Sequence, residues 1–309
     1  MTEYHLSVEK THVIWSKQIK PLLVIDPGDI VTFEILDGSG GQIKQNSTIE
    51  DLKKEDYERI NPLTGPIYIE NSEPGDVLKI EILSIKDKGW GWSGFFPSYG
   101  LLAEDFPYYY LRIFKVKEKM INFSKNIKIP IKPFCGVMGT CPNRSIKAID
   151  TVSAGEFGGN MDVKHLTEKT ILYLPVFVKG ALFSVGDGHL LQGDGEICWT
   201  ALEAPLSVKL KFDVEKKIKR PVPSFEIKKA RKKTSENEAA FVTIGFGNSL
   251  EQASKMAIRS MINYLESNYS LSREDAYLLC SLIVDLKIAS VNPYSYTATA
   301  FLPRNSLLP

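Results

Sequence analysis

A short turn-and-strand unit occurs twice near the N-terminus and constrains the fold more than any other feature. The first copy is Asp26-Pro27-Gly28-Asp29 followed by an alternating apolar stretch, and the second is Glu73-Pro74-Gly75-Asp76 followed by a matching stretch. Proline at the second position and glycine at the third suit a type II turn, and the alternation predicts a strand. With no convincing helix before about residue 140 except a short charged segment at 49–59, these units predict a β-sandwich or barrel-like region.

The apolar pattern changes period in the C-terminal region. Ser249 is placed to cap a helix with an apolar stripe over residues 250–265, and Ser272, with Asp275 three residues later, starts a second helix. Strand-like alternation returns after residue 285. The predicted fold class is mainly β, sandwich or barrel-like in the N-terminal and central regions, with an α+β C-terminal region. We expect three regions: a β-rich region at 1–130, a central β region with the candidate site at 131–212, and an α+β region at 213–309.

The overall composition excludes several classes of partner. The formal net charge of +1 gives no electrostatic reason to expect nucleic acid or a membrane surface as a partner. Two basic clusters, at 216–220 and 228–233, lie among acidic residues and are interpreted as a solvated hairpin or exposed strand. The four cysteines show no Cys-x-x-Cys spacing, so neither a disulfide framework nor a zinc ribbon is expected. Without a secretory signal or a long apolar run, we expect a cytoplasmic protein.

Residues 185–203 carry the densest group of chemically useful side chains. If this segment is extended, Asp187 and His189 share one face, and Gln192, Asp194 and Glu196 share another. Gly-Asp-Gly is also typical of turns, so a polar surface turn remains an alternative. The strongly apolar runs at 170–178 and 180–185 favour a site, because polar groups at the ends of buried strands commonly serve chemistry or metal binding.

Further motifs accompany this segment in a fixed order along the chain. They are His12-Val13-Ile14-Trp15, Pro27-Gly28-Asp29, Asn61-Pro62-x-Thr64-Gly65-Pro66-x-Tyr68, Glu73-Pro74-Gly75-Asp76, Pro133-Phe134-x-Gly136, Gly158-Gly159-Asn160-Met161-Asp162, Leu174-Pro175-Val176, Gly186-Asp187-Gly188-His189 and Gln192-Gly193-Asp194-Gly195-Glu196. The ordered set, spanning roughly residues 5 to 305, resembles the acetamidase/formamidase family. The resemblance implies hydrolysis of short aliphatic amides to a carboxylate and ammonia, a mainly β fold with an α+β C-terminal part, and a homo-oligomer, which we expect to be a homodimer or homotetramer.

Amide hydrolysis needs an activated nucleophile, stabilisation of the oxyanion and a proton for the departing amine. A divalent metal can supply the first two. The candidate ligands are Asp162, Asp187 and His189, a set that favours zinc, whereas an all-oxygen set would suit calcium.

Carboxylates near such a metal are candidates for proton transfer. We assign this role to Glu203 and Glu196 without ranking them. The candidate substrate-binding residues are Asn160, Gln192, Trp90 and Trp92. His12 and His165 are interpreted as structural.

Two other functions remain open from the sequence. A cysteine-nucleophile amidase would use Cys198 with a nearby Glu and Lys. A non-catalytic β-sandwich binding protein would hold a structural calcium in the acidic cluster. Chelator sensitivity, thiol alkylation and amide turnover separate these alternatives.

Overall fold

The computed structural model describes residues 1–143, 148–216, 218, 220–228, 239–291 and 294–304. Over these residues the first part of the chain forms strands β1 (Glu3–Leu6), β2 (Thr11–His12), β3 (Ile14–Trp15), β4 (Leu23–Ile25), β5 (Ile30–Ile35), β6 (Leu63–Ile69), β7 (Val77–Asp87), β8 (Trp90–Phe95), β9 (Tyr110–Lys117), β10 (Met120–Ser124) and β11 (Ile127–Pro130), with helix α1 (Ile49–Leu52) and a 3₁₀ helix (Tyr57–Arg59) between β5 and β6.

The second part forms the remaining strands and two longer helices. The strands are β12 (Phe134–Gly139), β13 (Ile149–Asp150), β14 (Ala154–Gly155), β15 (Gly158–Asn160), β16 (Thr170–Pro175), β17 (Phe183–Leu191), β18 (Leu202–Glu203), β19 (Leu206–Glu215), β20 (Ser224–Ile227), β21 (Ala240–Gly247), β22 (Asp285–Ser290) and β23 (Tyr296–Pro303). The helices are α2 (Leu250–Tyr269) and α3 (Arg273–Ile283). The fold is therefore mainly β with an α+β C-terminal region, as predicted.

Two large sheets organise the described residues. One has nine strands in the order β1-β5-β19-β7-β16-β20-β21-β23-β22. The other has twelve: β11-β10-β9-β8-β18-β17-β12-β15-β14 form a continuous path, and β6 joins this path at β17 and also pairs with β2 and β4. Strands from all three predicted regions share the nine-stranded sheet, and the division into regions stays a prediction.

The two sheets share one apolar core. Phe33 on β5 and Phe212 on β19 belong to the nine-stranded sheet, and both meet Phe183 on β17 of the other sheet at ring-centroid distances of 6.0 and 5.1 Å. All three side chains are fully buried. This core supports the middle of β17, the strand that carries Asp187 and His189.

The repeated turns form as predicted. Gly28 and Gly75 have φ angles of 97° and 94°, the left-handed conformation that the third position of a type II turn requires. In each turn the fourth residue's amide donates to the first residue's carbonyl, at 3.1 Å for Asp29 and 3.0 Å for Asp76. The strands that follow, β5 and β7, both pair with β19 in the nine-stranded sheet.

Both C-terminal helices begin at the predicted caps. The Ser249 hydroxyl accepts from the Gln252 amide, and the Ser272 hydroxyl accepts from the Asp275 amide. Helix α2 approaches β21 so closely that a Cβ on Gly245 would lie 2.1 Å from the Ala253 carbonyl oxygen. Among the described residues, no helix is both long and apolar enough to cross a membrane.

Part of the predicted basic hairpin lies outside the described residues, namely 217, 219 and 229–233. Of the described members, Lys216 and Lys228 are exposed and form ion pairs with Asp76 and Glu81. Strands β19 and β20, which flank the first cluster, pair with other strands and not with each other, whereas β20 and β21, which flank the second cluster, pair antiparallel.

Candidate active site

A small cavity opens where the middle of β17 faces the chain segments around residues 38 and 160. Its volume is about 50 Å³, which is room for roughly three or four water molecules. The polar wall includes Asn61, Asn160, Asp162, Asp187, His189, Glu196 and Glu203, and the apolar part includes Tyr57, Ile60, Trp92, Phe96, Val152 and Trp199.

His189 lies at the centre of the polar wall. Its Nε2 atom is 3.1 Å from Oδ1 of Asp187 and 3.2 Å from Oε1 of Glu203, which pairs with it across β17 and β18. Burial alone would lower the pKa of His189, but Asp187 and Glu203 outweigh it and raise that pKa well above 6.5. In the absence of a metal, the two buried carboxylates therefore favour the protonated form of the imidazole.

Glu203 is held from the backbone as well. Its Oε2 accepts from the Gly38 amide at 3.1 Å, and its Oε1 accepts from the Ala201 amide at 3.0 Å. A Cβ on Gly38 would lie within 3.0 to 3.2 Å of oxygens from Asp187, Glu203 and Asn61. Gly38 thus marks a point on which three side-chain oxygens converge.

The buried Asp162 and the half-buried Glu196 form a second carboxylate pair. Neither carboxylate oxygen of Asp162 has a hydrogen-bond partner among the described residues. Burial, reinforced by Asp187, raises the pKa of Asp162 to about 8. Burial, reinforced by Asp162, also raises the pKa of Glu196 well above its ordinary value. When no cation is bound, the surroundings of this pair therefore favour the protonated carboxyl groups.

Three of these acidic residues have a backbone conformation that is rare for residues other than glycine. The φ angles are 49° at Asp162, 55° at Asp187 and 46° at Glu196. Such residues cost of order 1 to 3 kcal/mol each and are found where the surrounding structure and a function require them. Their concentration in one cavity supports a functional site.

Gly136 on β12 leaves the space in which these groups meet. A Cβ there would lie 2.3 Å from Asp187 Oδ2, 2.7 Å from Asp162 Oδ1 and 2.9 Å from His189 Cε1. The Gly136 carbonyl also accepts from the Asp162 amide at 3.2 Å. Any larger residue would push the candidate ligands apart.

The donor set fits a divalent metal. Asp162, Asp187, Glu196 and Glu203 line the cavity together with His189, which forms ion pairs with Asp187 and Glu203. Two overlapping trios have ligand atoms within 4.8 Å of one another: Asp162, His189 and Glu196, and Asp187, His189 and Glu203. The unpartnered oxygens of Asp162 are a further indication, because buried carboxylates are normally paired or bound to metal.

Two further carboxylates lie near the site. Glu55 lines the cavity, and burial with Asp37 raises its pKa to about 7. Asp37 is buried, which raises its pKa to about 6 although its Oδ1 accepts from the Ser39 amide and hydroxyl. Neither residue is among the site residues predicted from the sequence. The glycine-rich run at 37–41 that follows a predicted buried strand was the available signal for Asp37, whereas no signal pointed to Glu55.

The structure brings some predicted substrate-binding residues to the cavity and not others. Asn160 and Trp92 line it, and Asn160 Oδ1 has no hydrogen-bond partner among the described residues. Trp90 is half-buried and packs with the neighbouring aromatic cluster. Gln192 lies behind the wall, where its amide donates to the Asp162 carbonyl oxygen at 2.8 Å. Among the lining residues described, neither Trp90 nor Gln192 appears.

The expected extended face of Gln192, Asp194 and Glu196 does not form. Strand β17 ends at Leu191, and the following residues make a turn. Glu196 enters the cavity, while Asp194 pairs with Lys164 at the surface. The glycines at 193 and 195 and the left-handed conformation of Glu196 break the period of two.

The other histidines and the thiols lie outside the cavity lining. His12 bonds to the Ile14 carbonyl and the Ser184 hydroxyl, and His165 packs edge-on against Phe301. The Cys198 thiol donates to the Thr200 carbonyl. Cys135 lies on β12 beneath His189, and burial raises its pKa to about 12.

Comparisons with known proteins identify the family of the chain. A family model described as the acetamidase/formamidase family matches residues 2–149 and 143–306. A formamidase of Methylophilus methylotrophus is 28% identical over 247 residues, which cover 60% of this chain and 59% of that protein. An acetamidase of Mycolicibacterium smegmatis is 28% identical over 247 residues, covering 60% and 61%. The chain thus matches about three fifths of the length of these curated relatives.

A solved structure covers more of the chain. The crystal structure of an acetamidase from Bacillus halodurans has a TM-score of 0.89 and 33% identity, and the match covers 98% of both chains. Family and fold therefore agree over nearly the whole sequence. The chain belongs to the acetamidase/formamidase family.

Proposed function

We propose that this chain is an amidohydrolase that cleaves short aliphatic amides, of the formamide and acetamide type, to a carboxylate and ammonia. The observation that carries the proposal is the group of three buried carboxylates, Asp162, Asp187 and Glu203, that lies with the half-buried Glu196 around His189 in the cavity of an acetamidase/formamidase family member. A cavity of about 50 Å³ suits a substrate of a few heavy atoms.

The site is proposed to hold a divalent metal, with zinc favoured because a histidine nitrogen accompanies the carboxylates. Asp162, Asp187 and His189 are the proposed ligands. When bound, the metal activates water and polarises the amide carbonyl. The chain's own residues orient the substrate and move the proton: the unpartnered Asn160 Oδ1 is placed to accept from an amide N–H.

Hydrogen bonding separates the roles of the two glutamates. Both Glu203 oxygens accept backbone N–H bonds, and one also pairs with His189, so three of its roughly four acceptor positions are engaged. This arrangement favours Glu203 as the residue that orients His189. Glu196, which has a carboxylate oxygen within 4.8 Å of a carboxylate oxygen of Asp162, is then the proton-transfer group. Glu196→Gln should lower kcat while bound metal stays close to the wild-type level.

The test is ammonia release from formamide, acetamide, propionamide and urea, with elemental analysis of the same preparation. We expect turnover of the small amides, loss of turnover with a chelator, and little effect of thiol alkylation. Cys198→Ser should keep a substantial part of the activity, because sulfur has no covalent role in this mechanism. Loss of several orders of magnitude in a folded, metal-loaded variant would favour the cysteine mechanism. Metal that raises the Tm without any amide turnover would favour the calcium-stabilised binding protein.

A further inference from the structure

Strand β22 forms one edge of the nine-stranded sheet. It pairs with β23 along residues 285–290, and no other named strand of the described chain covers its outer side. At its far end, the Gly195 amide donates to the Ala289 carbonyl and the Val291 amide donates to the Gly195 carbonyl, both at 3.0 Å. Residues 285–288 therefore remain an open edge, a surface that readily pairs with another strand.

The open edge carries exposed apolar side chains. On β22, Leu286 is 50% exposed and Ile288 is 43% exposed. Leu286 lies opposite Ala300, which packs with the helices, so both side chains are on the helix side of the sheet. Helix α3 ends two residues before β22 and exposes Leu278 and Leu282, which are one turn apart. Edge strands that avoid pairing usually carry charged side chains. The exposed apolar side chains of β22 and α3 therefore favour an interaction surface.

Charge selects one way in which β22 can pair with itself. In an antiparallel pair related by a two-fold axis perpendicular to the sheet, residues on the same face lie opposite each other. An axis through Asp285 places two aspartates in contact, and an axis through Lys287 places two lysines in contact. An axis through Ile288 would require residues 289–291 to pair with the partner subunit, but Gly195 already bonds to Ala289 and Val291. An axis through Leu286 places Asp285 opposite Lys287 twice.

We propose that β22 is a self-association surface, on which a second copy of this chain pairs antiparallel with Leu286 opposite Leu286 of the partner subunit. The two nine-stranded sheets then become continuous across the axis. Lys287, whose ammonium group lies 4.3 Å from the Phe301 ring centroid in the single chain, turns toward the facing carboxylate. The second copy also covers the side chains of Leu286 and Ile288 on the face of the sheet that carries the helices. This surface is separate from the cavity, and the proposal does not depend on amide hydrolysis.

The first experiment exchanges the charges and measures the mass of the full chain by light scattering and sedimentation velocity at micromolar concentration. Wild type is expected to be a dimer or a larger even assembly. Asp285→Lys and Lys287→Asp each place like charges together twice, so either change should weaken association by about tenfold or more. The double variant restores both pairs and should restore association. A monomeric wild type, or an assembly indifferent to both single changes, overturns the proposal.

The second experiment uses a cysteine on the proposed axis. Antiparallel neighbours have Cα atoms about 4.5 to 5.5 Å apart, within the range that a disulfide can bridge. Leu286→Cys should therefore form a covalent dimer under mild oxidation. Ile127→Cys, an exposed aliphatic position on edge strand β11 of the other sheet, is the matched control and should stay unlinked, as should wild type. Equal cross-linking at both positions would show random collision and contradict the register.

Discussion

Oδ1 of Asp187 lies 3.1 Å from Nε2 of His189, two positions along the same strand. The Asp-x-His spacing predicts that these side chains share a face, and the structure places them in contact. Asp187 reaches this position with a left-handed backbone, at φ 55°. The pair is therefore a preformed half of the proposed metal site, supported by the Phe134 ring 5.0 Å from the imidazole.

The first prediction removes the shared histidine. His189→Ala should lower bound metal and reduce kcat/KM by more than about a hundredfold, because even residues that only orient metal ligands commonly cost tenfold to a hundredfold. Elemental analysis and ammonia release are measured on the same sample. His5→Ala removes a surface histidine that pairs with Glu34, and it should leave both values unchanged. A His189→Ala protein with full metal and full activity would refute the ligand assignment.

The second prediction fills the space in front of the ligands. Gly136→Ala introduces a Cβ that must displace Asp187 or Asp162, and a misplacement of about 1 Å can cost about a hundredfold in rate. Circular dichroism checks the fold while metal content and kcat/KM are measured. Gly193→Ala is the matched control, because a Cβ there meets nothing within 4 Å. Normal metal binding in Gly136→Ala would place the metal elsewhere.

The sequence predicts those features of the protein that depend on residues close together along the chain. Caps at Ser249 and Ser272 and the two Pro-Gly-Asp turns are local hydrogen-bonding signals, and the elements they predict form. Glu55 and Gly38 reach the cavity through packing between distant parts of the chain, and no local sequence pattern predicts such packing. Gln192 was predicted to bind substrate, yet its amide holds the Asp162 carbonyl.

The third prediction concerns the pH dependence of the metal-free protein. The pKa of Asp162 is raised to about 8 and that of Asp37 to about 6, both by burial first. The pKa of each carboxyl group is higher in the folded than in the unfolded protein. Each group therefore lowers the free energy of unfolding progressively as pH rises from its unfolded pKa, about 4, to its folded pKa. His189, with its pKa raised above 6.5, contributes stability that is present below 6.5 and lost as pH rises through the folded value.

All three groups therefore act in the same direction. The Tm of the chelated protein should fall between about pH 5 and about pH 8. Bound metal replaces these protons, so the metal-loaded protein should show a flatter profile and a metal affinity that rises with pH. Thermal scans of both forms across this range are the measurement. A Tm that rises with pH in the chelated protein would contradict the buried, protonated pair.

The fourth prediction concerns substrate size. Each methylene that does not fit the cavity should lower kcat/KM by about tenfold or more, since a mismatch of this kind costs roughly 1 to 3 kcal/mol. Ile60→Ala removes part of the apolar wall and so enlarges the cavity, which should shift the preference toward longer amides. Trp90→Phe, outside the described lining, should not shift it. Equal kcat/KM across a series from one to six carbons would show an open site.

The most direct test titrates metal back into chelated protein while bound metal and ammonia release from acetamide are measured together. We expect the chelated protein to be inactive and turnover to rise in proportion to bound metal until the site is filled. His189→Ala should remain inactive at the metal concentration that saturates wild type. Full turnover in the chelated protein, with no metal detected, would contradict metal-assisted hydrolysis at this site.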